Sequence, residues 1–483
     1  MSKFYITTAI DYVNAPPHIG HAMEKIMADV IARYQRAAGK KAFFLMGVDE
    51  NSLKNVRAAE KEGITARELV DRNAQLFSGL KPALNLSFDD FIRTTEKRHL
   101  VGAQKLWFAC QNDIYKKSYK GLYCVDCEQF RKERELVDGL CPDHKTKPEL
   151  IKEENYFFRL SKYQERLKEI IENDEIRIIP EARKNETLSF INQGLEDICI
   201  SRSSERACGW GIDVPNDSSQ KIWVWFDALS NYINALGYGE NSGRFQDWWQ
   251  KNENKIHVVG KDILRFHAIY WPAMLLSAGL ALPKEIFAHG FITVDGQKMS
   301  KSLGNIINPY ELAEKYGADA VRYFLTAEFP AIEDGDFSYE KFENRYNADL
   351  ANDIGNLFER VFALVKNRKI EISVDSEIRN LQEKTEKIYS EKMDNYELYE
   401  ALNAVFAFSK KLNQYINQKE PWKLLKDKDD EGSHILNTLI FGVEKIISWL
   451  KPFMPEKMEE AENYLKNLSQ QKEKLNLFPR IAR

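Results

Sequence analysis

The chain has 483 residues, too many for one hydrophobic core, so several domains are expected. Its composition, 43% hydrophobic and 29% charged, excludes an intrinsically disordered chain. A formal net charge of -4 excludes an overall basic surface, so any nucleic acid must be met by local patches. No apolar run reaches the span of a bilayer, and the first residues read directly as a strand, so neither a membrane segment nor a signal peptide is expected. Six cysteines, three of them clustered, point to a metal site in a reducing compartment, the cytoplasm, rather than to a disulfide framework.

Residues 3–10, aromatic and β-branched, predict a strand. Residues 22–39 place Ile26, Val30, Ile31 and Tyr34 at helical spacing, with Gly39 as the stop. Between them stand Pro16-Pro17-His18-Ile19-Gly20-His21, two imidazoles about a glycine where a strand turns into a helix. In a parallel α/β sheet an anion sits at such a turn, facing helix N–H groups. A helix start with two exposed histidines is the plainer reading of the same residues. The apolar run 41–48, ending at Asp49-Glu50, predicts a strand buried on both faces with acids at its carboxyl edge. Thr65-Ala66-Arg67-Glu68 is a capping box opening a helix that carries Leu69, Phe77 and Leu80. This β-α-β-α order, through about residue 112, predicts a doubly wound nucleotide-binding half.

The pattern then breaks. Cys124-Val125-Asp126-Cys127 is followed, after thirteen intervening residues, by Cys141-Pro142-Asp143-His144. Three thiols and an imidazole on two tight turns suit tetrahedral Zn²⁺. Four protein ligands leave no open position, so the metal would brace the insert rather than do chemistry. Cys110, Cys199 and Cys208 lie outside this pattern and are expected to pack as small apolar residues.

The sheet is expected to resume at about 221, with an alternating strand over 221–227 that ends in Asp227. A strand over 255–262 ends in Gly260-Lys261-Asp262, and a helix over 263–278 should kink at Pro272. Another strand begins at 285, and Asp295-Gly296 marks a hairpin turn. Next comes Gln297-Lys298-Met299-Ser300-Lys301-Ser302, whose lysines three apart make a cationic loop suited to a polyphosphate. Such loops are common on surfaces, and its weight comes from its pairing with the histidines of the first half. Beyond about 345, segments 346–367, 377–393, 396–418, 434–450 and 455–467 predict a helical bundle.

His18-Ile19-Gly20-His21 with Lys298-Met299-Ser300-Lys301-Ser302, on a split α/β sheet with a helical tail, resembles the class I aminoacyl-tRNA synthetases. The short zinc insert, Val224-Trp225-Phe226-Asp227-Ala228-Leu229, Gly260-Lys261-Asp262-Ile263 and two phrases of the tail are similar to the methionyl-tRNA synthetase family along essentially the whole chain. The implied fold is α/β: a class I Rossmann-type doubly wound parallel sheet, split by a zinc-knuckle connective insert and followed by an all-α anticodon-binding bundle. The implied domains are a first catalytic half at 1–112, the insert at 113–215 with its knuckle at about 122–146, and a second catalytic half at 216–290. The lysine-loop junction follows at 291–345 and the bundle at 346–483.

The resemblance implies that ATP and L-methionine form methionyl-adenylate and pyrophosphate, and that methionine then passes to the 3′ end of tRNA(Met). His18 and His21 would bind the ATP phosphates and the transition state. Glu24 and Asp262 would meet the adenosine, Gly260 would also bind ATP, and Lys298 and Lys301 would close on the β- and γ-phosphates, with Mg²⁺ accompanying ATP. The methionine pocket would comprise Ala9, Ile10, Tyr12, Trp225, Leu229, Tyr232, Ile263 and His267. Asp49 would take the ammonium, held with Asp262 by Arg202. A thioether is apolar and a weak acceptor, so aromatic walls with one or two polar tips suit it, although aromatics in these places also serve ordinary core packing. In the tail, Asn356 and Arg360 share a helix face and would read base edges, while Trp422 would stack on an unstacked anticodon base. A solvated Asn/Arg face and a buried Trp are the bland alternatives.

One departure stands out: after Asp49-Glu50 the family usually has His-Gly, and this chain has Asn51-Ser52. Among rivals, leucine, isoleucine and valine enzymes would need a larger editing insertion than 113–215, and a cysteine enzyme would carry its zinc ligands in the catalytic sheet. A non-catalytic tRNA-binding paralogue would be expected to lose a signature group, and His18, His21, Lys298 and Lys301 are all present. With no C-terminal appendix the protein is expected to be a monomer.

Overall fold

The structure, a computed structural model, describes residues 2–124, 129–142, 145–299, 304–329, 333–365, 373–424, 430–467 and 474–482. The chain divides into two compact units, one of Met1–Pro17, Gln35–Gly79 and Ser87–His289, the other of His18–Tyr34, Leu80–Leu86 and Gly290–Arg483.

The first unit is built on a seven-stranded parallel sheet. Its order is Asp11–Tyr12, Lys41–Asp49, Lys3–Thr8, Lys255–Gly260, Glu285–His289, Arg177–Ile179, with Asp90–Arg93 also paired to Lys41–Asp49. Phe44, Leu45, Met46 and Val48 are all buried, as a strand covered on both faces requires. From Lys3–Thr8 the chain builds outward on one side to Lys41–Asp49 and later on the other side to Lys255–Gly260. Strand order therefore reverses at Lys3–Thr8, and the carboxyl ends of these strands open the crevice in which such sheets hold ligands. The helix after Lys41–Asp49 starts at Leu53, where the Ser52 hydroxyl accepts from Lys54 N–H. The capping box at Thr65 and Glu68 forms as expected, each side chain bonded to the other's backbone N–H.

The connective region departs from the sequence expectation in three places. Arg177–Ile179, inside 113–215, is an edge strand of the parallel sheet, paired with Glu285–His289. The remainder of that region contains an antiparallel four-stranded sheet in the order Gln129–Arg131, Ile114–Cys124, Glu149–Phe158, Ile198–Cys199. The parallel sheet does not resume at 221, because Asp217–Ile222 pairs antiparallel with Ser201–Ser203 and Asp213–Val214. The expected strand 221–227 stops at Ile222, since the partner Ser201–Ser203 ends opposite it. Trp223 then becomes the N-cap of a short helix, Val224–Leu229, which buries Phe226 and Leu229. Pro272 also acts differently from a mid-helix kink. The segment opens as a π-helix, Phe266–Tyr270, and Pro272 falls in the first turn of the α-helix Trp271–Ser277, where its missing N–H costs nothing.

In the second unit, Ile292–Val294 pairs with Gln297–Lys298 and with Gly335–Phe337. Asp295 and Gly296 both have positive φ, 51° and 73°, as the expected two-residue hairpin turn demands. The tail is helical: Tyr346–Gly355 winds as a π-helix, followed by Asn356–Val365, Ser376–Asp394, Leu398–Lys419, Asp430–Leu450 and Pro455–Lys466. Arg322 is fully buried and satisfied by an ion pair with Asp29 at 2.7 Å and by the carbonyls of Phe453, Pro452 and Leu84 at 2.9, 2.8 and 3.2 Å. One guanidinium thereby ties the helices Ala318–Ala327 and Ile19–Ala37 to the turn before Pro455–Lys466. Among the described residues, no helix is long and apolar enough to cross a membrane.

Candidate active site

In the first unit, the carboxyl ends of the central strands gather most of the residues expected to form a pocket. Tyr12 lies opposite Asp49 in the strand register, so an aromatic ring and a buried carboxylate start side by side. The Tyr12 ring meets Trp225 edge-on at 6.5 Å, and Trp225 stacks flat on Phe266 at 3.7 Å. Ala9, Leu229 and Tyr232 are buried in the same apolar cluster, against which Ile10, Tyr12, Trp225 and Ile263 pack partly exposed. Gly260 ends its strand buried, and Asp262 is exposed in the turn that follows. Arg202 is buried, with its guanidinium 5.7 Å from the centre of the Tyr123 ring.

The polar tip of this pocket has a defined protonation pattern. His267 Nδ1 lies 2.9 Å from the Ile263 carbonyl, which can only accept, so Nδ1 carries the proton. Nε2 must then accept from the Tyr232 hydroxyl at 2.6 Å. The hydroxyl proton is then committed to the histidine, and the buried Tyr232 oxygen is left with its lone pairs. Tyr5 donates to the Tyr232 carbonyl at 2.7 Å, and the His257 ring, bonded through Nδ1 to Thr7 at 2.7 Å, lies 4.2 Å from the Tyr232 ring. Burial pushes the His257 imidazole well below its ordinary range.

In the second unit, the helix Ile19–Ala37 starts immediately after His18. The His18 N–H donates to His21 Nδ1 at 3.1 Å, and the Gly20 N–H donates to His18 Nδ1 at 3.1 Å. Both Nδ1 atoms are therefore acceptors, which leaves the proton of each neutral ring on Nε2. The rings stack at 3.7 Å. Burial first, and the neighbouring His21 imidazole second, hold the His18 imidazole down to about 2. A pair of neutral N–H donors at a helix N-terminus can bind phosphate oxygens without changing protonation state. Glu24 is buried and ion-paired with the adjacent Lys25 at 2.7 Å.

Lys301 and the side chain of Lys298 lie outside the described residues, as do Cys127 and His144. Cys124 and Cys141 are both buried, and no group of metal-binding side chains forms among the described residues. Of the other cysteines, Cys110 is buried as expected and burial raises its thiol to about 12. Cys199 is partly buried, but Cys208 is exposed, in a turn where its φ is 52°. In the tail, Asn356 is exposed on the first turn of its helix and Arg360 donates to Asn417 at 2.7 Å. Trp422 is 40% exposed rather than buried. A cleft of about 540 Å³ in the first unit is lined by rings and by charges of both signs, among them Tyr119, Tyr123, Arg131, Arg134, Arg206, Glu135 and Glu153.

Phe266 and His99 escaped the sequence reading, as did the contact between Asn51 and Asp227. Phe266 is separated from Trp225 by a long stretch of chain, and no local periodicity announces their stack. Asn51 donates to the buried Asp227 at 2.7 Å, a contact spanning 176 positions.

Residues 4–147 and 135–362 match the family described as "tRNA synthetases class I (M)", and residues 375–479 match "Anticodon-binding domain of tRNA ligase". The chain is similar to the methionine–tRNA ligase of Brucella suis, at 43% identity over 472 residues covering 95% of this chain and 90% of that one. Similarity to the methionine–tRNA ligase of Thermotoga maritima runs at 42% identity over 95% of this chain and 74% of the relative. Among solved structures, Mycobacterium tuberculosis methionyl-tRNA synthetase in complex with methionyl-adenylate matches with a TM-score of 0.92 and 37% identity, over 99% of this chain and 100% of that one.

Proposed function

We propose, for a chain that belongs to the methionyl-tRNA synthetases of class I, which of its residues carry each part of the reaction. The protein activates methionine with ATP as methionyl-adenylate and then charges tRNA. In the first step a carboxylate oxygen of methionine attacks the α-phosphorus in line. The new P–O bond forms as the α–β bridge breaks, and pyrophosphate leaves with the electron pair. No covalent catalyst is needed, so rate comes from positioning and charge stabilisation.

Asp49 accepts the substrate ammonium. Ala9, Ile10, Tyr12, Trp225, Leu229, Tyr232, Ile263 and His267 enclose the thioether, with Arg202 steadying the acids Asp49 and Asp262. The Nε2–H groups of His18 and His21 bind phosphate oxygens of ATP and stay neutral throughout. Glu24 and Asp262 meet the adenosine, Gly260 also binds ATP, and Lys298 and Lys301 close on the outer phosphates, where Mg²⁺ neutralises charge. Asn356, Arg360 and Trp422 read the anticodon, and the exposure of Trp422 supports a stacking role. The cleft's rings and its excess of Lys and Arg over Asp and Glu suit the single-stranded 3′ end of tRNA. The partition of the chain at 112, 215, 290 and 345, a monomeric state and residence in the cytoplasm belong to the same proposal.

Cys124, Cys127, Cys141 and His144 fit a structural Zn²⁺ by donor chemistry, and the two described thiols are buried, where a thiolate needs a metal partner. Bound there, zinc would cross-link two turns and supply nothing to adenylate formation.

The observation that carries the methionine assignment is the pairing of Tyr12 and Asp49 beside Trp225. Asp49→Asn is expected to raise KM for methionine roughly 10- to 100-fold in ATP–pyrophosphate exchange, the worth of a charge-assisted hydrogen bond. An unchanged KM would remove Asp49 from the site, and wild-type exchange driven by leucine or cysteine but not methionine would overturn the specificity.

A further inference from the structure

Two residues beyond Asp49, the Asn51 N–H donates to Asp49 Oδ1 at 3.1 Å. Its side-chain Nδ2 sends one proton to Asp227 Oδ2 at 2.7 Å and the other to the Thr94 carbonyl at 3.2 Å. Asp227 lies in the helix Val224–Leu229, is fully buried, and receives His99 Nε2 on its other oxygen. The far side of His99 is held by Asn234, whose Nδ2 is 3.3 Å from His99 Nδ1, 3.2 Å from the His99 carbonyl and 2.7 Å from Ser230 Oγ. Ser230 in turn donates to the Asp227 carbonyl at 2.6 Å. The helix carrying His99 comes so close that a Cβ at Gly102 would lie 2.0 Å from Asn234 Oδ1.

This chain of bonds joins the two ends of the proposed methionine pocket. Asp49 stands at one end. At the other, Trp225 and Leu229 flank Asp227 on a helix of six residues, too short to hold its own orientation. We infer that Asn51 is a positioning residue for methionine activation. It sets the distance between the ammonium acceptor and the thioether wall by binding Asp49 through its backbone and Asp227 through its amide. The inference rests on the pocket assignment above. A histidine at this position could supply one N–H to Asp227 but not two protons from one nitrogen. The asparagine therefore keeps the link to Asp227 and adds a second tether, to the strand end at Thr94.

The test compares Asn51→Ala, Asn51→His and Asp49→Asn in the full chain by methionine-dependent ATP–pyrophosphate exchange, with thermal melting alongside. Asn51→Ala is expected to raise KM for methionine about tenfold, leave KM for ATP within about twofold, and barely move the melting temperature. Asn51→His should bring the methionine KM most of the way back. In the double variant Asn51→Ala/Asp49→Asn, the effects should combine to less than their product, because one acts through the other. An unchanged methionine KM in Asn51→Ala overturns the inference. So does an equal rise in both KM values with a lower melting temperature, a failure of histidine to rescue, or effects that multiply in the double variant. Should the alanine variant melt early, Asn51→Ser, which keeps a polar group but cannot reach Asp227, reads the same KM split. If Asp49→Asn leaves the methionine KM unchanged, the pocket assignment fails; if it raises that KM while Asn51→Ala does not, only the role of Asn51 fails.

Discussion

At residue scale, the histidine pair depends on a single glycine. A Cβ at Gly20 would lie 3.0 Å from His18 Cε1 and 3.1 Å from Nδ1, so any larger residue must displace the imidazole by a few tenths of an ångström from the N–H that fixes its tautomer. His18 titrates at about 2 in the folded chain against 6.5 when free. Below pH 6.5 the unfolded chain takes up a proton here that the folded chain refuses. The stability contributed by neutral His18 is thus complete above 6.5 and is lost progressively as pH falls from 6.5 towards 2. The slope from one such group is at most ~1.4 kcal/mol per pH unit. His18→Asn should therefore flatten the fall of melting temperature between pH 6.5 and about 4.5, and parallel curves would contradict a neutral His18. The motif His-x-Gly-His is legible in the sequence; which ring nitrogen keeps its proton is not, because that depends on backbone N–H directions set by the first helical turn.

The element scale shows where local pattern misleads. Residues 221–227 alternate like a strand, yet the chain turns helical after Trp223, whose N–H still donates to the Ile200 carbonyl at 2.8 Å while its own carbonyl accepts from Asp227 N–H at 3.1 Å and opens the helix Val224–Leu229. Period-two alternation over a few residues fits both a strand and the first turn of a helix, and tertiary pairing decides between them. Arg177–Ile179 was hidden for the opposite reason, since three residues are too few for any periodicity and become a strand only on the edge that Glu285–His289 offers. The insert has its own test. Purified protein is expected to contain a single zinc per chain, which Cys141→Ser should lose along with part of its resistance to heat; metal analysis that finds no zinc in the wild type would remove the knuckle.

Over the whole molecule, the two compact units do not follow the chain in sequence. His18–Tyr34 and Leu80–Leu86 cluster with Gly290–Arg483, although both are flanked by segments of the other unit. Part of the reason is the buried pair of Arg322 and Asp29, two charges that must meet to be tolerated away from water. Amino-acid activation and tRNA reading draw on different parts of the chain, so they should be separable by mutation. Trp422→Ala is expected to lower the kcat/KM for tRNA in aminoacylation by roughly 10- to 100-fold, the worth of one base stacked on an aromatic plate. ATP–pyrophosphate exchange, which needs no tRNA, should keep its rate. Equal charging by the variant would place Trp422 outside the anticodon site.

The sequence by itself determined which chemical groups are present and the local elements that carry them. The apolar run before Asp49, the capping box at Thr65, the Asp295-Gly296 turn and the order of signature motifs are all written within a few residues of each other. Which of those groups touch came from the folded chain: Tyr12 opposite Asp49, Phe266 flat on Trp225, and Asn51 bonded to an aspartate 176 positions away. It also decided that Cys208 and Trp422 face solvent. The physical reason is range. Helix and strand preferences arise from hydrogen bonds and burial repeating every two to four residues, whereas a pocket is assembled by contacts between distant segments that leave no periodic trace in either.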